Sequence, residues 1–376
     1  AVFYGDNRYN DRWTDMSLGA IAVREAGDRE ALQSLRAIDR TQLSAADQLN
    51  YDTFEWQLKQ SIARQAFREY LMPISHQGGV QTADGLLELL AFNTEKDYRD
   101  WLARLNALPT LIDQNIVLLR EGAKLGMTPP KAIMKRVPNQ IAAQVVDDPT
   151  KSALYAPFKQ FPENIPAATQ SELQALAKQA ISTKVVPAYA ALQKFFIDEY
   201  MPATRENIAA TSLPNGKAYY DFLAGYYTTT ALSAEQIHAI GLKEVARIRG
   251  EMDKIIGQVG FKGSFPEFLQ YLRTDPKFRY TDPQQLLQAY MVMAKRIDPL
   301  LPQYFGKLPR LSYGVRPIPE QSAPDTTTAY YQPGSQDGTR AGYYYVNLYK
   351  PEERPKYEIP VLTIHEAVPG HHLQIA

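Results

Sequence analysis

Residues 233–260 read SAEQIHAIGLKEVARIRGEMDKIIGQVG. Ser233 and Gln236 stand three apart at the head of this run, the spacing of a capping box. There the hydroxyl accepts the N–H of residue 236 and the amide side chain reaches back to the N–H of residue 233. Ile237, Gly241, Val245, Ile248, Met252 and Ile255 then recur every three or four residues, which places them along one stripe of an α-helix. Gly260 takes the left-handed conformation without steric cost and is a natural terminator. A long capped helix with this period sets the class of the chain as mainly α.

The same period extends outward in both directions. Upstream, Tyr51, Phe54, Leu58, Ile62 and Ala66 form another stripe, with Ser44 and Asp47 as its start signal and Pro73 as its stop. Residues 101–119 continue helically, with a break or kink expected at Pro109. Residues 167–200 place Leu173, Leu176 and Ala180 on one face, and Val185, Tyr189, Leu192 and Phe196 resume after a shift that Pro187 marks. Downstream, 284–304 is helical with interruptions near Pro299 and Pro302.

The texture changes after Gly306. Residues 307–340 are rich in Pro, Gly, Ser, Thr and Asp, and the run from Tyr343 to Leu348 is aromatic and β-branched. Alternation puts Tyr344, Val346 and Leu348 on one face and Tyr343, Tyr345 and Asn347 on the other. The reading is a strand in a small sheet at about 310–349, placed before a final helix. The chain is read as one large helical domain over 1–376, with a helical body at 1–306, a β segment at 307–350 and the start of an active-site helix at 358–376.

Composition narrows the chemistry. Among 376 residues, 41 Lys and Arg balance 41 Asp and Glu, and no basic block stands out, so nucleic acid is not an expected partner. No apolar run is long enough for a membrane-spanning helix. With no cysteine, thiolate ligands and cysteine nucleophiles are excluded. A metal site would have to draw on carboxylates and the five histidines.

Three of those histidines fall in one window, His365-Glu366-Ala367-Val368-Pro369-Gly370-His371-His372. Random placement would put about 0.1 there. His365-Glu366 opens like the zincin pattern H-E-x-x-H, in which two histidines one helical turn apart bind zinc and the Glu takes a proton from water. Here the next histidines come at i+6 and i+7. On a straight helix i+6 points about 240° around, and i+7 lies about 10.5 Å along the axis. Pro369-Gly370 allows the helix to bulge. A bulge absorbing two residues makes His371 the second ligand, the preferred reading; one absorbing three selects His372. His76 and His238 are isolated and read as structural or solvated.

HEAVPGHHLQ resembles the signature of the bacterial family called "domain of unknown function 885". The Tyr-rich segment ending in Val346-Asn347, the stretch Gly225-Tyr226-Tyr227-Thr228-Thr229-Thr230 and the helix after Ser233 are similar to that family too. Its members look like distant relatives of the HExxH zinc peptidases, and dipeptidyl-peptidase III offers a second analogy, its HExxGH motif also carrying an insertion. The resemblance implies a zinc-dependent hydrolase of peptide or amide bonds, with His365 and His371 (or His372) as ligands and Glu366 as general base. It implies a third ligand from a Glu in a motif beyond residue 376, so that the domain is C-terminally incomplete. It also implies a periplasmic or outer-membrane-anchored lipoprotein. Tyr343, Tyr345 and Asn347 are candidate substrate contacts on a strand that could pair with an extended peptide, and Arg340 is a candidate partner for a substrate carboxylate. The alternatives are a non-catalytic peptide- or cell-wall-binding lipoprotein with a degenerate or incomplete metal site, and a two-His-one-carboxylate iron centre.

Overall fold

The computed structural model describes residues 6–335 and 337–376. It is mainly α with one small three-stranded sheet near the C-terminal end. The chain divides into two compact units, one of them Tyr9–His238 and the other containing Ala239–Ala376. The division falls inside the capped helix, which runs Ala234–Gln258. The Gln236 N–H donates to Ser233 Oγ at 3.2 Å and the Ser233 N–H to Gln236 Oε1 at 2.8 Å. Gly260 has φ +69° and ends the helix. Val245 and Ile255 on its apolar stripe are more than half exposed.

The unit Tyr9–His238 is built on the helix Glu95–Lys124. Trp101, Leu105, Leu108 and Ile112, three or four apart, are fully buried. They belong to one apolar core with Leu173, Ala177, Ile181, Tyr189, Leu192 and Phe196. The polar tips are satisfied in place: Trp101 Nε1 donates to the Leu154 carbonyl at 3.0 Å and the Tyr189 hydroxyl to that of Val80 at 2.7 Å. Burial raises the pKa of the Tyr189 hydroxyl and keeps it a donor.

Prolines shape the second half of this core. The helix Ala167–Ala180 runs into a π-helical turn, Ile181–Val185, and resumes as Val186–Phe195. The Val186 N–H bonds the Ile181 carbonyl five residues back, immediately before Pro187. The same device recurs at Phe196–Tyr200, where the Met201 N–H bonds the Phe196 carbonyl just before Pro202. Proline lacks an N–H and its ring crowds the carbonyl four residues earlier. At Pro187 widening the preceding turn absorbs both defects without ending the helix, whereas after Pro202 the helix ends at Ala203.

In the other unit, strands β1 (Tyr313–Pro317), β2 (Ala329–Gln332) and β3 (Gly342–Val346) form a sheet in the order β1-β3-β2. β3 is parallel to β1 and antiparallel to β2, with Tyr344 opposite Val315 and Tyr331. This corrects the expectation of a β3 free to pair with a peptide: β3 is central and both its edges are taken. One face of the sheet carries Tyr344, Val346 and Ala329, which pack with Leu286, Tyr290, Ile359, Ala367 and Val368. The other carries Tyr330, Tyr343 and Tyr345, packed around Ile318 and Ala323. Alternation in the sequence assigns the β3 side chains to these same two faces.

Candidate metal centre

The histidine window sits on the helix Ile359–Glu366. Its buried face is Ile359, Thr363 and Glu366, spaced four and three, and Thr363 Oγ1 donates to the Ile359 carbonyl at 2.7 Å. Val361, Ile364 and His365 are exposed. The last regular bond runs from the Ala367 N–H to the Thr363 carbonyl. In a continuous helix the N–H of residue 369 would bond the His365 carbonyl, but residue 369 is proline. The chain leaves the helix there. Ala367 (φ −97°, ψ −100°) and Gly370 (φ −62°, ψ −127°) are both non-helical, and the Val368–Pro369 peptide is cis. A second helix, His371–Ile375, starts after the turn, and its His372 N–H bonds the Ala367 carbonyl at 3.0 Å.

The expected bulge in one helix is thus a four-residue interruption between two helices. Gly370 makes it possible. A Cβ at this position would lie 1.8 Å from the His365 carbonyl oxygen and 2.5 Å from that of Ile364, so no side chain fits. The near-contact of backbone on backbone brings residue 371 alongside residue 365.

The result is a convergence of three side chains. One ligand atom from each of His365, Glu366 and His371 lies within 4.8 Å of the others. The two imidazoles meet edge to face, with centroids 5.0 Å apart and planes at 86°. His371 Nε2 is 3.7 Å from Glu366 Oε2. Glu366 is 9 % exposed, whereas His365 opens to solvent.

His372 turns away from this cluster. Its Nδ1 is 2.7 Å from the Tyr331 hydroxyl and its Nε2 3.0 Å from the Leu311 carbonyl. Tyr313 stacks obliquely on it at 4.9 Å. Burial lowers its pKa, which favours the neutral ring. With both ring nitrogens engaged, His372 has no lone pair free for a metal, while His371 faces His365 and Glu366.

Two imidazoles with no sulfur, and a carboxylate beside them placed to act as a base, suit Zn²⁺ with His365 and His371 as the donors. One nitrogen of each ring lies within 4.8 Å of the other and of a Glu366 oxygen, and the exposed side of His365 gives access. On these grounds the residues fit a zinc ion.

The sheet residues singled out from the sequence lie elsewhere. Tyr343 and Tyr345 are on the face opposite to Tyr344, and Tyr345 stacks on Tyr330 at 4.9 Å. Arg316 lies over the Tyr343 ring at 3.5 Å and donates to its hydroxyl. Asn347 is buried, and its Nδ2 donates to the carbonyls of Ala323, Thr326 and Thr327 while its Oδ1 accepts the Tyr349 N–H. Arg340 braces the β2–β3 loop, donating to the Pro333 carbonyl at 2.8 Å. The residues that do meet the histidines are Tyr331, Tyr313 and the Leu311 carbonyl. Their sequence signal is only the alternation of a short aromatic strand, which says nothing of its partner.

The whole chain, residues 1–376, matches the family described as bacterial protein of unknown function, DUF885. The chain belongs to the DUF885 family. A solved structure from Colwellia psychrerythraea, a putative lipoprotein, is similar with a TM-score of 0.86 at 21% identity, over 96% of this chain and 65% of that one. A putative lipoprotein of unknown function from Shewanella oneidensis is similar with a TM-score of 0.60 at 14% identity, over 99% of this chain and 67% of that one. The chain therefore spans about two thirds of the length of these structures, and at such identities the likeness is one of fold. No curated protein matches. Among the described residues no helix is long and apolar enough to cross a membrane.

Proposed function

We propose that this DUF885 protein is a zinc-dependent hydrolase of peptide or amide bonds. The carrying observation is the return of His371 to His365 and Glu366 across the Pro369–Gly370 turn, although six positions separate the histidines in sequence. His365 and His371 would hold the ion, and the family resemblance supplies a third ligand from a Glu beyond residue 376. A zinc ion held there would supply Lewis acidity toward a water and a substrate carbonyl. Glu366, almost buried beside His371, takes the proton of the attacking water and passes it to the leaving nitrogen. The two similar structures are named as lipoproteins, which goes with a periplasmic or outer-membrane-anchored place of action on peptide or cell-wall material.

The test is zinc content and affinity, by elemental analysis and calorimetry, on this chain and on one extended through the downstream Glu segment. The extended protein is expected to hold one zinc and cleave members of a peptide library. Glu366→Gln should keep the metal and lose turnover by about 10²–10⁴-fold, the usual contribution of a general base. Failure of both proteins to hold zinc under metal-replete conditions would overturn the reading and favour a binding protein.

A further inference from the structure

His372 follows His371 directly and lies in the same five-residue helix. Its Nε2 meets the Leu311 carbonyl, which can only accept, so Nε2 carries the proton. Its Nδ1 is then the acceptor for the Tyr331 hydroxyl. The Tyr331 hydroxyl therefore donates to His372 Nδ1. The Tyr331 ring lies nearly parallel to that of His371, with planes 16° apart and centroids at 6.4 Å. One tyrosine thus touches both histidines.

Its place depends on Gly342. A Cβ there would lie 1.9 Å from the Tyr331 hydroxyl and 2.7 Å from the ring carbon bearing it. β2 and β3 are paired so that Tyr331 is opposite Tyr344, two residues along from Gly342. The empty side-chain position of Gly342 is the space that the hydroxyl fills.

We infer that Tyr331, His372, Gly342 and the Leu311 carbonyl form a positioning clamp that fixes the short helix His371–Ile375 and thereby holds the His371 ring against His365. Tyr331 and His372 are positioning residues in it; His372 binds no metal and is locked as the Nε2–H tautomer. The clamp deepens the zinc reading above, and part of its test needs no metal.

The first arm is nitrogen NMR of ¹⁵N-histidine-labelled, metal-free protein. His372 should show a protonated Nε2 and a bare Nδ1, in contrast to exposed His238, whose tautomers should average. Tyr331→Phe should shift the His372 Nδ1 resonance and move the ring resonances of His371. The second arm is zinc affinity by calorimetry, with zinc chloride as the probe. Tyr331→Phe should weaken zinc about 10–100-fold, the usual effect of losing an outer-shell partner. Gly342→Ala should do the same while removing no hydrogen-bonding group. The double variant should lose less than the sum of the singles, because Phe lacks the hydroxyl that the new methyl meets first. A tautomer mixture or Nδ1–H at His372 overturns the clamp whatever zinc does. Unchanged affinity in Tyr331→Phe, with zinc bound by the parent protein, overturns it as well. If the parent binds no zinc, the hydrolase reading falls, and the clamp then falls only if the His371 resonances are indifferent to Tyr331→Phe.

Discussion

Prolines at two places in this protein have opposite results, while the helix Glu95–Lys124 runs through Pro109 without the expected break. At Pro187 the preceding turn widens to a π-turn and the helix goes on. At Pro369 the helix stops for four residues and starts again as a separate piece. The lost hydrogen bond is the same in each case. What differs is the neighbour. Val186 and Ala188 flank Pro187, whereas Gly370 follows Pro369 and can press its Cα against the His365 carbonyl. A proline alone costs one bond and is absorbed; a proline followed by a glycine that can touch backbone allows a fold-back. In the first region the fold-back is absent and the core residues Ile181 and Tyr189 keep to one packed face. In the second it brings His365, Glu366 and His371 together.

The largest expected effect follows from that contact. Gly370→Ala forces a methyl to within 1.8 Å of a backbone oxygen that no rotamer change can move. A cost of about 3 kcal/mol in denaturant melts is expected, the upper end for forced overpacking. Zinc affinity by calorimetry should fall by more than the clamp variants lose, since His371 itself is displaced. A Gly370→Ala protein with parental zinc affinity would show that the close approach does not assemble the site.

Asn347→Ala is expected next in size. Its amide satisfies three carbonyls and one N–H in a buried corner, and stranding them should cost about 2–3 kcal/mol. Because Asn347 lies away from the histidines, zinc affinity of the folded protein should be unchanged. Loss of affinity without loss of stability would return Asn347 to the site.

These cases mark what a linear sequence can carry. Ser44 and Ser233 could be read as caps because a cap is a contract between residues three apart. The alternation of β3 could be read because a strand's two faces follow from its pleat. The grouping of His365, Glu366 and His371 could be read from the window, with Pro369-Gly370 as the device. The sequence prefers His371 through the size of the bulge alone; that His372 turns to the Leu311 carbonyl and the Tyr331 hydroxyl, 61 and 41 residues away, could not be read. The structural role of Asn347 is hidden for a similar reason: its three carbonyl partners lie 20–24 residues earlier. The central place of β3 also required knowing that β1 crosses to its far side.

A smaller effect is expected at Gly241, on the capped helix. A Cβ there meets nothing within 4 Å, so Gly241→Ala should add about 0.5–1 kcal/mol through helix propensity alone. Set against Gly370→Ala, it separates a glycine that is merely tolerated from one whose bare Cα is required. A destabilised Gly241→Ala protein would show that this face is covered in solution.

The smallest effect should come from Pro187→Ala, and it tests the comparison at its root. In an ordinary helix interior a proline is worse than alanine by about 3 kcal/mol. Here the Val186 N–H has already moved to the Ile181 carbonyl, so the ladder is displaced before the ring arrives. The side chain is exposed, and the core residues on either side, Val185 and Tyr189, are already seated. Restoring an N–H therefore offers a bond the structure no longer needs, and the change in unfolding free energy should stay within about 0.5 kcal/mol. A gain near the full 3 kcal/mol would mean that the π-turn is a residual defect rather than an accommodation. The contrast with Pro369 would then lie in the strength of the surrounding core, not in the glycine that follows.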